Sequence, residues 1–333
     1  MAAAASAHAR SAARGPRPVD VKRDLLPLAD LLELVFGPDL DSAGRQLVRD
    51  MRALGRFGWL GGVLSRLMLP PAAAPRGYVW EESGRIIGNA SLLPVAGHPD
   101  RWVLANVVVH PDFRLRGIGQ ELVQACLGLA HDRGIGTLML QVKVDNPEAE
   151  RLYLRLGFNK LTARTTWVRL GGAASGLGLE APEIRRRVSG EWSDQWALAQ
   201  RLHPEGLVWP NPLHSGAFRP AWREGLRSGD SLQHWVWYRG AQLWASLTAT
   251  PRGAPRHWRL ILLAQPEAAG LVEAALLAQA LASLPAQRSS MILEYPAGVA
   301  LAPLQLAGFR PEKSLTWMER RLNPEQTRGS QDG

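Results

Sequence analysis

Cysteine is almost missing. The chain holds one, Cys126, which excludes an internal disulfide framework and predicts a reducing, cytoplasmic setting. Long apolar runs are missing too: the longest candidate, residues 59–71, is interrupted by Ser65 and Arg66 and falls short of the roughly 20 residues a bilayer-crossing helix needs. No membrane association is therefore expected. The leading MAAAASAHARSAARGPRP has no acid before Asp20 and no apolar core of the kind a secretory signal carries. Residues 1–17 read as a disordered tail; the same composition also suits an organelle transit peptide. Zinc-ligand spacing and recognisable RNA-binding motifs are absent, so neither a metal nor a specific nucleic-acid partner is expected.

What is present is length and charge. The 333 residues, 46% of them hydrophobic, are long for one domain and sufficient for two cores. A net charge of +9 invites a polyanion, but the arginines are scattered and only Arg185 to Arg187 form a run. A small polyanionic ligand and a solvated arginine-rich surface account for that distribution better than nucleic acid does. The Gly-, Ala- and Ser-rich segment 171–182 has linker composition and predicts domains at 18–170 and 183–322, with a disordered tail at 323–333.

Across that linker the pattern repeats weakly. GYVWEESGRIIGNASLLPV, RWVLANVVV, a helix, a strand, a helix ending in Gly157-Phe158 and a strand holding Trp167 are matched by HWVWYRGAQLWASLTAT, HWRLILLAQP, a helix, SSMILEY, Gly308-Phe309 and a strand holding Trp317. The copies differ at one turn. Where the first reads HPDFRLRGIGQEL the second reads QPEAAGLVEAAL, without the paired arginines and the second glycine.

In the first copy Val107, Val108 and Val109 form a β-branched, buried-strand pattern that Pro111 ends. Leu122, Val123, Cys126, Leu127 and Ala130 then recur at helical spacing, with Gly134 as the stop. The turn between them, Arg114-Leu115-Arg116-Gly117-Ile118-Gly119-Gln120, thus lies at a helix N-terminus. There the free amides and the dipole favour an anion. A Walker loop is excluded because no lysine follows; a dinucleotide fingerprint is excluded because position 122 is leucine.

R-x-x-G-x-G after a strand and His-Pro, followed by NPEAERLYLRLGF, resembles the GCN5-related N-acetyltransferase family. The likeness is close over residues 78–170, extends to residue 19, and is faint in the second half. It implies an α/β (α+β) fold in two copies, each a mixed, mostly antiparallel twisted sheet flanked by helices. The first copy would be active and the second degenerate. It further implies acetyl-CoA as co-substrate, with its pyrophosphate on the turn amides and pantetheine along Val107–Val109, whose backbone supplies oxyanion donors. Tyr153 would protonate the departing thiolate. Asn146 is placed as a cofactor contact, though Asn146-Pro147 is also a helix start; Tyr153 also fits an apolar helical face. Cys126, within an apolar face, reads as structural.

The family's protein acetyltransferases carry a basic glutamate in the fifth strand, and here Gln141 stands there. An amide cannot accept a proton at neutral pH, so Glu81 and Glu82 become candidates, with simple turn charges as their other reading. The expected reaction is direct acetyl transfer in a ternary complex to a primary amine of a small molecule or peptide. The expected assembly is a monomer with pseudo-dimeric domains or a homodimer. Gln141 also supports a second reading, a non-catalytic acetyl-CoA-binding regulator or sensor. Residues 42–71, apolar and tryptophan-bearing, occupy the place where the family varies its acceptor site; burial over the acceptor cleft or against the second domain is expected, with a membrane-surface helix as the other reading.

Overall fold

The computed structural model describes residues 15–37, 40, 42–56, 76–95, 97–172, 183–203, 213–219, 232–251, 257–284 and 289–322. The expected linker beyond residue 172, the C-terminal tail from 323, and residues 57–71 of the expected acceptor segment lie outside them. Two compact units form: residues 1–161 with 317–333, and residues 162–316.

Unit 1 begins with β1 (Gly15–Pro18), which pairs antiparallel with β2 (Arg76–Glu82). The tail expected over residues 1–17 therefore ends earlier. Arg17 holds the strand by a two-pronged contact at 2.7 and 2.9 Å to Asp24, a carboxylate that is fully buried. Helices α1 (Val21–Phe36) and α2 (Ser42–Arg56) follow, then β3 (Arg85–Val95), β4 (His98–Val109), α3 (Ile118–Asp132), β5 (Thr137–Lys143) and α4 (Pro147–Arg155). β2, β3 and β4 are antiparallel, and β5 joins β4 in parallel. Strand alternation separates the helices. Ala29, Leu32 and Val48 pack on the Val108 face, while Leu122, Val123 and Cys126 of α3 share a core with Trp80, Ile87 and Leu140.

Unit 2 repeats the order. β8 (Gln233–Arg239), β9 (Gln242–Pro251) and β10 (His257–Ala264) are antiparallel; α6 (Glu273–Ser283), β11 (Ser290–Pro296) and α7 (Leu301–Leu306) follow, with β11 parallel to β10. α5 (Trp192–Leu202) stands where α1 stands in the first copy, and the edge strand β7 (Arg185–Arg186) pairs with β8.

The last strands do not follow the expected boundary at the linker. β6 (Asn159–Leu170) pairs antiparallel with β11 over residues 164–170, inside unit 2, where Trp167 enters the core beside Leu293 and Tyr295. The neighbour of β5 is instead β12 (Arg310–Arg321), whose Met318 is buried in the unit 1 core together with Leu322. Leu322 donates to the carbonyl of Gly136 at 2.8 Å, and Arg320 to that of Leu156 at 2.6 Å. Each sheet is thus completed by a strand from the other half of the sequence.

Candidate active site

β4 is not a regular strand. Its ladder to β3 pairs Ser91 with Ala105 and then Asn89 with Val108, so Asn106 and Val107 together stand against Ala90. Asn106 takes φ +53°, a left-handed conformation that asparagine tolerates better than most residues. This is a β-bulge, and it turns backbone groups out of the ladder. On the other edge, the parallel ladder to β5 pairs residues 101–104 with 137–140 and, among the described residues, goes no further. Val107–Val109 therefore lies beyond the β4–β5 ladder, on that edge not paired with β5.

This end of β4 leads to the glycine turn. Pro111–Phe113 forms a short 3-10 turn; Leu115 is 96% exposed with φ +61°, and Gly117, φ +82°, caps α3 with no side-chain acceptor. The amides of Ile118, Gly119 and Gln120, at the start of the helix, have no intrahelical acceptor and carry the positive end of its dipole. The side chain of Ile118 is buried, so that residue offers only its amide. A Cβ on Gly119 would meet Leu152 at 3.6 Å and Val109 at 3.7 Å, ordinary contacts. Packing alone does not demand that glycine. Arg114 reaches the carbonyl of Val109 at a long 3.4 Å; Arg116 lies 4.8 Å over the Phe113 ring and donates to the carbonyl of Asp112 at 3.1 Å. Both arginines are exposed beside the amides.

Asn146 accepts from the Ala149 amide at 3.1 Å as the N-cap of α4 and is exposed. Its structural role is thus established. Tyr153 is 6% exposed, edge-on to Phe158 at 5.8 Å, in the core that also holds Ile118, Leu140 and Val142. Burial alone pushes its phenol above the ordinary range, so it remains protonated near neutrality. The thiol of Cys126 is pushed up to about 12 by burial and donates to the carbonyl of Ala90, opposite the bulge, at 3.6 Å. It is a packing and hydrogen-bonding group, not a nucleophile.

Of the carboxylates considered as bases, Glu81 is engaged by Arg17 and Arg23. Glu82 lies next to it, at the β2–β3 turn. Two strand spacings, about 10 Å, separate that strand from β4. Neither is brought to the bulge. The arginine run is also occupied: Arg185 pairs with Glu191, Arg186 stacks 4.4 Å over Trp235, and Arg187 donates to Gln195 and to the carbonyl of Phe218.

Unit 2 shows the same turn filled from within. Gly270, φ +85°, takes the place of Leu115, and Val272, φ −109°, that of Gly117. The next residue, Glu273, is fully buried; its carboxylate accepts from the amides of Gly270 at 2.8 and 2.9 Å and Val272 at 3.2 Å, and from the Tyr295 hydroxyl at 2.6 Å. The amides of Gly270 and Val272, the counterparts of Leu115 and Gly117, are thus occupied by a side chain of the turn's own copy. The β9–β10 ladder also runs unbroken from Pro251–Trp258 to Ala245–Ala264, with no bulge. Among the described residues of the whole chain, no cluster of His, Cys, Asp and Glu suits a metal, and no helix is long and apolar enough to cross a membrane.

Known proteins show the same likeness. A profile of the Acetyltransferase (GNAT) family matches residues 51–158. N-alpha-acetyltransferase RimI of Mycobacterium tuberculosis is 33% identical over 113 residues, 31% of this chain and 70% of that protein. The [Ribosomal protein bS18]-alanine N-acetyltransferase of Salmonella typhimurium is 40% identical over 68 residues, 20% of this chain. The match spans 46% of that relative's length, under half. A GCN5-related N-acetyltransferase from Sphaerobacter thermophilus shares the fold, with a TM-score of 0.55 at 15% identity over 93% of this chain and 96% of the other. The chain belongs to the GCN5-related N-acetyltransferase family, with a motif-bearing first copy and a degenerate second.

Proposed function

We propose that the chain is an acetyl-CoA-dependent N-acetyltransferase with a single active site in unit 1. The observation that carries this is the bulged end of β4, beyond its ladder to β5 and followed by a glycine turn at a helix start, whereas the second copy has no bulge and its turn amides at Gly270 and Val272 are taken by Glu273. The amides of residues 117–120, with Arg114 and Arg116, would hold the pyrophosphate; the backbone of Val107–Val109 would pair with the pantetheine. Asn146 adds a polar group at the end of β5. Acetyl-CoA supplies the thioester, and the bulge amides donate to the oxyanion that develops as an amine attacks it. Tyr153, protonated, returns a proton to the thiolate.

Proton removal from the attacking amine limits the choice of acceptor. Gln141 cannot serve as a base, and Glu81 is committed to arginines. An α-amine, with a pKa of about 8, is substantially neutral in mild base, whereas a lysine amine near 10.4 is not. The site therefore favours an α-amino group, of a peptide or a small molecule, attacking directly in a ternary complex. The bS18-alanine enzymes among the relatives make an N-terminal alanine peptide the first acceptor to try. Gln141 also motivates a second reading, an acetyl-CoA-binding sensor without turnover. A CoA-release assay over peptides with free α-amines, Nα-blocked lysine peptides and small amines, with Tyr153→Phe and Gly117→Glu as controls, separates them. Release with α-amines, rising with pH through about 8, supports transfer. Binding without release under any acceptor supports the sensor, and failure to bind acetyl-CoA removes both.

A further inference from the structure

We infer that Asn89 is a positioning residue that holds the β4 bulge open and so aims the oxyanion donors; this rests on the acetyl-transfer reading above. Asn89 is 1% exposed on β3. Its Nδ2 donates to the carbonyl of Asn106 at 2.8 Å and to Ser91 Oγ at 3.0 Å. The Asn106 carbonyl, taken out of the regular ladder by the bulge, thereby gains a partner from a side chain. Its left-handed backbone is held in place. The cost is visible on the same residue, because Asn89 Oδ1 is buried with no partner among the described residues. An amide that leaves its own oxygen unmet while fixing a strained carbonyl is an odd choice for packing alone.

The second copy is an internal control. His110-Pro111 matches Gln265-Pro266, and Val109 faces Gly88 as Ala264 faces Ala245. Counting back along both strands sets Ser246 at the place of Asn89 and Ile261 at that of Asn106. Serine is too short for the same reach, isoleucine resists left-handed backbone, and there β9 and β10 pair without a break. Leu281, which cannot donate, stands in the place of Cys126. The Asn89–Asn106 pair and the bulge thus occur together in one unit and are lost together in the other.

The test compares wild type, Asn89→Ala, and the double variant Asn89→Ser/Asn106→Ile, which copies unit 2. Three measurements serve: steady-state kinetics with acetyl-CoA and an accepted amine, thermal midpoint, and backbone hydrogen exchange at residues 106–109. Asn89→Ala is expected to lower kcat on the order of 10–100-fold, with the KM for acetyl-CoA changed by less than about threefold, since the turn amides are untouched. The double variant is expected to gain exchange protection at 107 and 108, at an unchanged or raised thermal midpoint, with turnover lost. Unchanged exchange in the double variant, or a rise in KM at constant kcat in the single one, overturns the proposal. If the single variant does not fold, the double variant decides alone. Should wild type acetylate no amine at all, the acetyltransferase reading fails, yet the exchange comparison still decides what Asn89 does to the bulge.

Discussion

Tyr153 carries a packing role that is observed and a chemical one that is proposed. Its ring fills the unit 1 core, and burial raises its pKa, which would keep it loaded as the proposed acid for the leaving thiolate. Tyr153→Phe is expected to cut kcat on the order of 10²-fold while the affinity for acetyl-CoA, measured by calorimetry, changes little. Because the folded pKa lies above the unfolded one, the associated stability is present below about pH 10 and is lost as pH rises past it. The wild-type rate should accordingly show no fall assignable to this group below about pH 10. Gly117 is different. Its φ of +82° disfavours any side chain, and an added methyl would have the Glu121 carboxylate 4.0 Å away as its nearest neighbour, so the cost is one of backbone conformation and not of packing. Gly117→Ala should lose about 1–2 kcal/mol of stability in urea unfolding and weaken acetyl-CoA binding by about tenfold, with kcat at saturation nearly kept.

Among the elements, the strand-turn-helix that carries the proposed anion cradle was legible. Valines, Pro111, two glycines and a helical apolar repeat name it residue by residue, and α3 with its Gly117 cap follows that outline. The bulge was not legible, because three consecutive valines look like an unbroken strand. The one signal was Asn106, a polar, left-handed-tolerant residue inside an apolar run, and Asn89 gives none without the register that places it opposite. The divergence of the second turn was legible as missing arginines and glycine, but the occupation of its Gly270 and Val272 amides by Glu273 is set by tertiary packing. Glu273→Ala should therefore cost about 2–3 kcal/mol in urea, by stranding buried donors that the carboxylate now satisfies. Wild type should bind one acetyl-CoA per chain; a calorimetric stoichiometry of two would contradict the internal-anion reading.

For the whole molecule, the composition of each unit matters more than the linker. A chain ending at Phe309 lacks Met318 and Leu322 from the unit 1 core and leaves β5 without the strand beside it. Such a chain, or residues 1–170 alone, is expected to aggregate or to melt well below wild type and to lose acetyl-CoA binding; a stable, binding fragment would restore the linker as the true boundary. Acid should act first on unit 2. Burial, then Arg187 and Arg186, hold His234 down to about 3, and burial, then Arg164, hold His203 down to about 4. Both contribute stability above the unfolded value near 6.5, and that stability is lost as pH falls toward 4. The wild-type unfolding free energy from urea titrations should fall between pH 7.5 and 4.5 by up to about 2.5 kcal/mol for each histidine, and His234→Gln should flatten that slope. By itself the sequence determined the two copies, through the family resemblance their fold class, and the position of a glycine-arginine turn at a helix start that only the first copy carries. These are local patterns of apolar period, turn residues and charge, readable within some twenty residues. Only the tertiary structure decided the β4 bulge and its Asn89 clamp, the filling of the second turn by Glu273, and which final strand completes which sheet. Each of these is fixed by pairing between residues far apart in the chain, where register and burial, not local propensity, select the partner.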